Sequence, residues 1–109
     1  MRIYDRDGFM SLPAGTIFCK GKPWFFEEFS VKGDTLNDTQ GSPIDWTYLG
    51  LQWIESESSE DADRKLEDMK SNGASYPMQE SYGRDGCFDS KDIFLVYEQA
   101  DLQKIKEMI

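Results

Sequence analysis

The sequence predicts an α+β domain: an antiparallel sheet of four or five strands with two packed helices and a short N-terminal helix. Short alternating runs of Val, Ile, Thr and aromatic residues, punctuated by Gly, Pro and Asn, give the strands. One strongly capped segment between Ser58 and Gly73, and an apolar stripe near the C-terminus, give the two packed helices. A chain of 109 residues has room for one core, so 1–109 is expected to form a single domain.

Asp5 to Leu12 reads as the short helix, with Asp5 as its cap, Phe9 and Leu12 on one side and Pro13 as its stop. Thr16 to Lys20 reads as a strand closed by a Gly21-Lys22-Pro23 turn. Trp24 to Lys32 follows as a second strand, with Phe25, Phe29 and Val31 on one face and Trp24, Phe26 and Ser30 on the other. Gly33 to Pro43 is polar and rich in turn formers, and is expected to be a long loop. Ile44 to Glu55 fits helical spacing through Trp46, Leu49, Gly50 and Trp53, and also a strand with one phase slip. Its Trp, Tyr, Thr and Ile content favours the strand.

Ser58 with Asp61 has the form of a capping box, and Ala62, Leu66 and Met69 make a helical stripe that Asn72-Gly73 ends. Ala74 to Tyr82 alternates as a strand, and Gly83 to Gly86 is expected to turn. The apolar run Ile93 to Tyr97 reads as a central strand covered on both faces. Asp101 is expected to cap a last helix carrying Leu102, Ile105, Met108 and Ile109.

Charge narrows the function. The chain carries 21 acidic and 12 basic residues, a net of −9, and the run Glu55 to Asp68 alone contributes −5. Phosphate backbones and anionic membranes are held by Lys and Arg, so direct nucleic-acid or membrane binding is not expected. No apolar stretch reaches the roughly 18 residues of a membrane span, and the N-terminus has no apolar signal region, so a cytoplasmic location is expected. With no histidine in the chain, Ser-His-Asp and Cys-His catalysis are ruled out, as are imidazole metal sites. Cys19 and Cys87 are read as free thiols, and no cofactor or metal is expected.

Within the acidic run, Glu55, Glu57, Glu60, Asp61, Asp63, Glu67 and Asp68 are the candidate partner-binding residues. Carboxylates presented by a rigid helix suit a basic protein surface, although the same run also reads as a solvated face that complements the helix dipole. Trp24, Phe25 and Phe26 beside Lys20 and Lys22 form one basic-aromatic patch. Read as a nucleotide site it would use Trp24, Phe26, Trp46, Trp53 and Arg84, at a homo-oligomer interface; the simpler reading places these rings in the core. The triplet Arg-Asp-Gly occurs at 6–8 and again at 84–86, where it reads as turn chemistry or, through Arg84, as a ligand clamp. Glu80, Asp85, Asp89 and Asp92 match no cation-binding loop, and the adjacent Glu27 and Glu28 are expected on opposite faces of their strand.

The opening Met-Arg-Ile-Tyr-Asp-Arg-Asp-Gly-Phe with Leu12-Pro13-Ala14-Gly15-Thr16, and the close Gly83-Arg-Asp-Gly-Cys-Phe-Asp89 with Phe94-Leu-Val-Tyr-Glu98, resemble small uncharacterised proteins encoded by bacteriophages and prophages. The resemblance carries no established activity. It implies a phage accessory product made in a bacterial cytoplasm, and by analogy an inhibitor of a host protein with a basic surface, possible in anti-defence. The alternatives are a non-catalytic sink for a nucleotide signal and a structural or regulatory phage module.

Overall fold

The computed structural model describes residues 1–86 and 89–109, and for residues 51–53 the backbone alone. The elements in chain order are β1 (Arg2–Tyr4), α1 (Arg6–Met10), β2 (Ile17–Lys22), β3 (Phe25–Asn37), β4 (Pro43–Ile54), α2 (Ser59–Asn72), β5 (Met78–Arg84), β6 (Ile93–Val96) and α3 (Gln99–Met108). The fold is α+β, and its sheet has six strands in the order β1-β6-β2-β3-β4-β5, more than the four or five expected. The chain divides into two compact units, 1–50 with 82–109, and 51–81.

In the larger unit, the aromatic core packs against one face of the sheet. Phe18 pairs with Val96, Lys20 with Phe94 and Tyr4 with Phe94, so these side chains share the inner face. There Phe9 of α1 lies against Phe18, Trp46 and Phe94, and Met10 and Val96 complete the buried core. Asp5 caps α1 as expected, accepting the Gly8 N–H at 2.8 Å. β6 is central, but Phe94 and Val96 are buried while Ile93 and Leu95 are only half-buried. The run is therefore covered fully on one face and only partly on the other.

A bulge sets the phase of the β2–β3 hairpin. Cys19 pairs with Phe29 and Gly21 with Phe26, so Glu27 and Glu28 together oppose Lys20. Counting back from Ser30, which pairs with inner-face Phe18, places Glu28 inside; counting on from Phe25, which pairs with Lys22, places Glu27 inside too. The expected split of Glu27 and Glu28 between faces is thus overturned, and Phe26 joins Phe29 on the outer face. The aromatic patch is not core: Trp24 is 81% exposed, at the turn between β2 and β3, and Phe25, Phe26 and Phe29 are also exposed.

Gly21 makes the bulge possible. A Cβ there would lie 2.8 Å from the Phe26 Cα and press on the Phe25 carbonyl oxygen. Gly21→Ala is expected to lower stability by about 1–3 kcal/mol, the usual cost of overpacking, as read by urea denaturation. Gly15→Ala, where a Cβ meets nothing within 4 Å but φ is +91°, separates backbone strain from steric clash.

Four boundaries differ from expectation, the first being that β2 runs on through Gly21 and Lys22 before its turn. The segment 33–37 is strand, paired through Thr35 with Trp46 and Leu36 with Asp45. Only the stretch after Asn37 turns, and Asp38 Oδ1 holds it by accepting from the Gln40 and Ser42 N–H groups. β5 begins at Met78 and runs through Gly83 and Arg84 instead of turning there. The last helix starts from Glu98, with Asp101 at the third helical position, donor and acceptor reciprocated in a capping box. Of its stripe, Ile105 and Met108 are exposed.

The smaller unit carries α2. Ser58 Oγ accepts the Asp61 N–H at 3.1 Å, and Gly73 closes the helix at φ +68°, as its sequence signature predicts. Lys65 donates to the Glu55 carbonyl at 2.7 Å and stands 5.4 Å over the Tyr76 ring; the Tyr76 hydroxyl donates to Asp68 at 2.6 Å. Glu55 N–H to Pro77 O at 2.8 Å closes the base of the unit. Among the described residues no helix is long and apolar enough to cross a membrane.

Candidate functional site

Two charged constellations stand out, one on each unit. On α2, Asp61 is occupied internally: it pairs with Arg64, lies 3.1 Å from Lys65 and accepts the Glu57 N–H at 3.1 Å. The Glu57 N–H, then Lys65, hold its carboxyl below the ordinary range. Asp68 is held low by the Tyr76 hydroxyl first and the Asn72 amide second. Glu67 accepts from Ser71 Oγ at 2.6 Å. Glu55, Glu57, Glu60, Asp63 and Glu67 are exposed, and none of them enters an ion pair among the described residues. Asp61 spends both neighbouring cations of the helix, so only Lys70 in the last turn is left beside the outward carboxylates.

In the larger unit, eight charged side chains alternate in sign. Arg84 pairs with Asp45, which lies 3.8 Å from Arg6; Arg6 reaches Asp85 at 3.0 Å, and Asp85 reaches Lys20 at 2.8 Å. Lys20 is 3.4 Å from Asp92, which Lys22 meets at 2.6 Å before closing on Asp89 at 2.5 Å. Asp45 is fully buried, and Asp85 and Asp92 are nearly so. Burial pushes the Asp45 carboxyl up, but Arg84 and the Trp46 and Gly86 N–H groups outweigh it and hold it below the ordinary value. Burial likewise works against Lys20, and Asp85 with Asp92 reverses the sign to keep it high. Lys22 is raised by Asp89, then by Asp92.

This chain of charges was not anticipated from sequence. Lys20 and Lys22 were expected at the rim of an aromatic patch; instead they neutralise aspartates 65 to 70 positions away. Both Arg-Asp-Gly triplets contribute, Arg6 from the first and Arg84 with Asp85 from the second, and their recurrence was the one available signal. Asp85, Asp89 and Asp92 are joined by lysines, and among the described residues no group of three carboxylates or thiols converges on a metal position.

The nucleotide residues do not gather. Trp24 stands on a turn, Phe26 on the outer face, Trp46 is buried in the inner core, and Arg84 is committed to Asp45. The Trp53 side chain lies outside the described residues, as does Cys87; Cys19 is a buried free thiol.

A cavity of about 130 Å³ adjoins Lys20 and Asp85, with Trp46, Tyr48, Glu27 and Glu28 in its wall. No family model, no curated protein and no solved structure matches this chain.

Proposed function

We propose that the protein is a non-enzymatic binding module, a phage or prophage accessory product that docks on a basic surface of a bacterial host protein and inhibits it. The single observation that carries this reading is the acidic face of α2: two of the helix's three cations, Arg64 and Lys65, turn back onto Asp61, and only Lys70 in the last turn is left beside the outward carboxylates. Glu57, Glu60, Asp63 and Glu67 are left facing solvent. Lys65 and the Asp68–Tyr76 bond pin the helix to its own flanks, so the face is presented without an ordering cost at binding. Clustered charge of this kind raises association rates toward an oppositely charged groove.

The test is affinity capture from a bacterial host lysate, with the wild type beside a variant carrying Glu57→Gln, Glu60→Gln, Asp63→Asn and Glu67→Gln. The wild type is expected to retain a basic protein at low salt and release it as salt rises, since screening shortens to about 10 Å at 0.1 M. The neutralised variant is expected to retain none. Capture that is indifferent to both salt and the four substitutions removes the proposal.

A further inference from the structure

The outer face of the sheet in the larger unit is built without charge. On β2 it presents Ile17, Cys19 and Gly21, because Phe18, Lys20 and Lys22 turn to the core side. Opposite them in β3 stand Val31, Phe29 and Phe26, and β6 adds Leu95 and Ile93. Ile3, the partner of Leu95, and Leu49, the partner of Val31, extend the face to either side. Charged residues make up 30% of the chain, yet none of these positions carries one. The solvated side of an antiparallel sheet ordinarily goes to polar residues, so an apolar outer face calls for a cover. Part of that cover is internal: the Tyr97 ring lies 5.0 Å from Phe29, and its hydroxyl is 4.0 Å from the Cys19 thiol. The rest meets water. Ile3 is 58% exposed, Phe29 42%, Leu49 38% and Phe26 36%, while Ile17, Val31, Ile93 and Leu95 are half-buried.

We infer that this face is the two-fold interface of a homodimer. At about 200 Å² for a whole phenylalanine and a little less for an aliphatic residue, these fractions leave about 450 Å² of apolar surface. One side of a standard interface covers about 800 Å², about 65% of it apolar in homodimers, or about 520 Å². The face therefore supplies the apolar area that a stable dimer needs. Charge selects a second copy as the occupant. Two chains of −9 repel wherever their carboxylates meet, and an uncharged face lets them touch without that cost. A basic partner gains nothing here, because the face holds no carboxylate to meet it. Phe29, beside Cys19 and backed by Tyr97, is the rigid aromatic anchor of the contact. The inference stands apart from the acidic helix and its host partner.

The test is sedimentation equilibrium of the full chain. The wild type is expected to be predominantly dimer at about 100 μM, since interfaces of this size bind at micromolar or tighter. Raising salt from about 0.1 to 1 M is expected to tighten the dimer, because it screens the net repulsion and leaves the apolar contact. The host complex proposed for α2 responds in the opposite sense. Phe29→Asp and, separately, Leu49→Asp are expected to raise the dissociation constant at least about a hundredfold, each entering the interface twice by symmetry. Phe25→Asp puts the same charge on an exposed residue that pairs with Lys22 on the other face, and is expected to remain dimeric. Four results overturn the assignment: a wild type that is monomeric at that concentration, a dimer that loosens with salt, a dimer indifferent to both Phe29→Asp and Leu49→Asp, or one lost equally with Phe25→Asp.

Discussion

Asp45→Ala is expected to cost about 3–5 kcal/mol of folding stability, the range for removing one partner of a buried ion pair. The carboxylate is fully buried, pairs with Arg84, lies 3.8 Å from Arg6 and accepts the Trp46 N–H at 2.8 Å and the Gly86 N–H at 3.2 Å. Arg84, more than half exposed, can turn to water when its partner is gone; Arg6, 12% exposed, cannot do so without leaving the Trp46 ring. Arg6 keeps Asp85 and the Ile44 carbonyl, each at 3.0 Å, so the loss falls mainly on the Trp46 and Gly86 backbone donors. Asp45→Asn keeps the shape and an acceptor oxygen, and is expected to cost about 1–3 kcal/mol. Neither variant titrates at this position, so both differ from the wild type in their dependence on pH. Asp45 has a folded pKa below its unfolded value, so its contribution is fully present above about pH 4 and is lost as pH falls through the lowered folded value. Urea denaturation at neutral pH and again in acid should show the gap between wild type and Asp45→Asn narrowing in acid. A gap that is constant with pH means that the charge of Asp45 is not what stabilises the fold.

The parts of this molecule that were legible in sequence are those whose cause is local. Asp5, Ser58 and Gly73 act on neighbours three to five positions away, and α1 and α2 fall where those residues place them. Ile93 to Val96 is apolar enough to claim a central position from its own composition. Errors arise where pairing across the sheet outweighs local preference. Gly33, Asp34 and Asn37 are poor strand formers, yet the segment is strand because Trp46 and Asp45 stand opposite Thr35 and Leu36 in β4. β1 is three residues long and offers no pattern; only β6 beside it makes it a strand. The bulge at Glu27 and Glu28 depends on Gly21 tolerating the Phe25 carbonyl, a contact no alternation of side chains reports. The charge chain was hidden for the same reason: Lys20 and Lys22 look like surface residues until Asp85 and Asp92 arrive from the far end of the sequence. In contrast, the acidic face of α2 needed nothing distant, since seven carboxylates lie in fourteen consecutive residues.

Phe9→Ala is expected to be among the most damaging apolar truncations, because one ring joins three others and is the anchor of α1. Phe9 is fully buried, with ring centres 4.5 Å from Phe18, 5.0 Å from Trp46 and 4.3 Å from Phe94. Truncating a buried phenylalanine costs about 3–5 kcal/mol, and at about 4 °C per kcal/mol the melting temperature drops by about 12–20 °C. The effect reaches beyond the cavity left behind. A five-residue helix has no stability of its own, so α1 stays folded only while Phe9 holds it against the sheet. Arg6 lies one turn earlier on the same helix and ties it to Asp85 and Asp45. Losing either anchor weakens the other, and the double variant Phe9→Ala, Asp45→Ala is expected to lose less than the sum of the single losses, by about 0.5–3 kcal/mol. Chemical denaturation of the four species measures that coupling. Strict additivity would mean that aromatic core and charge chain hold α1 independently, and that α1 does not link them.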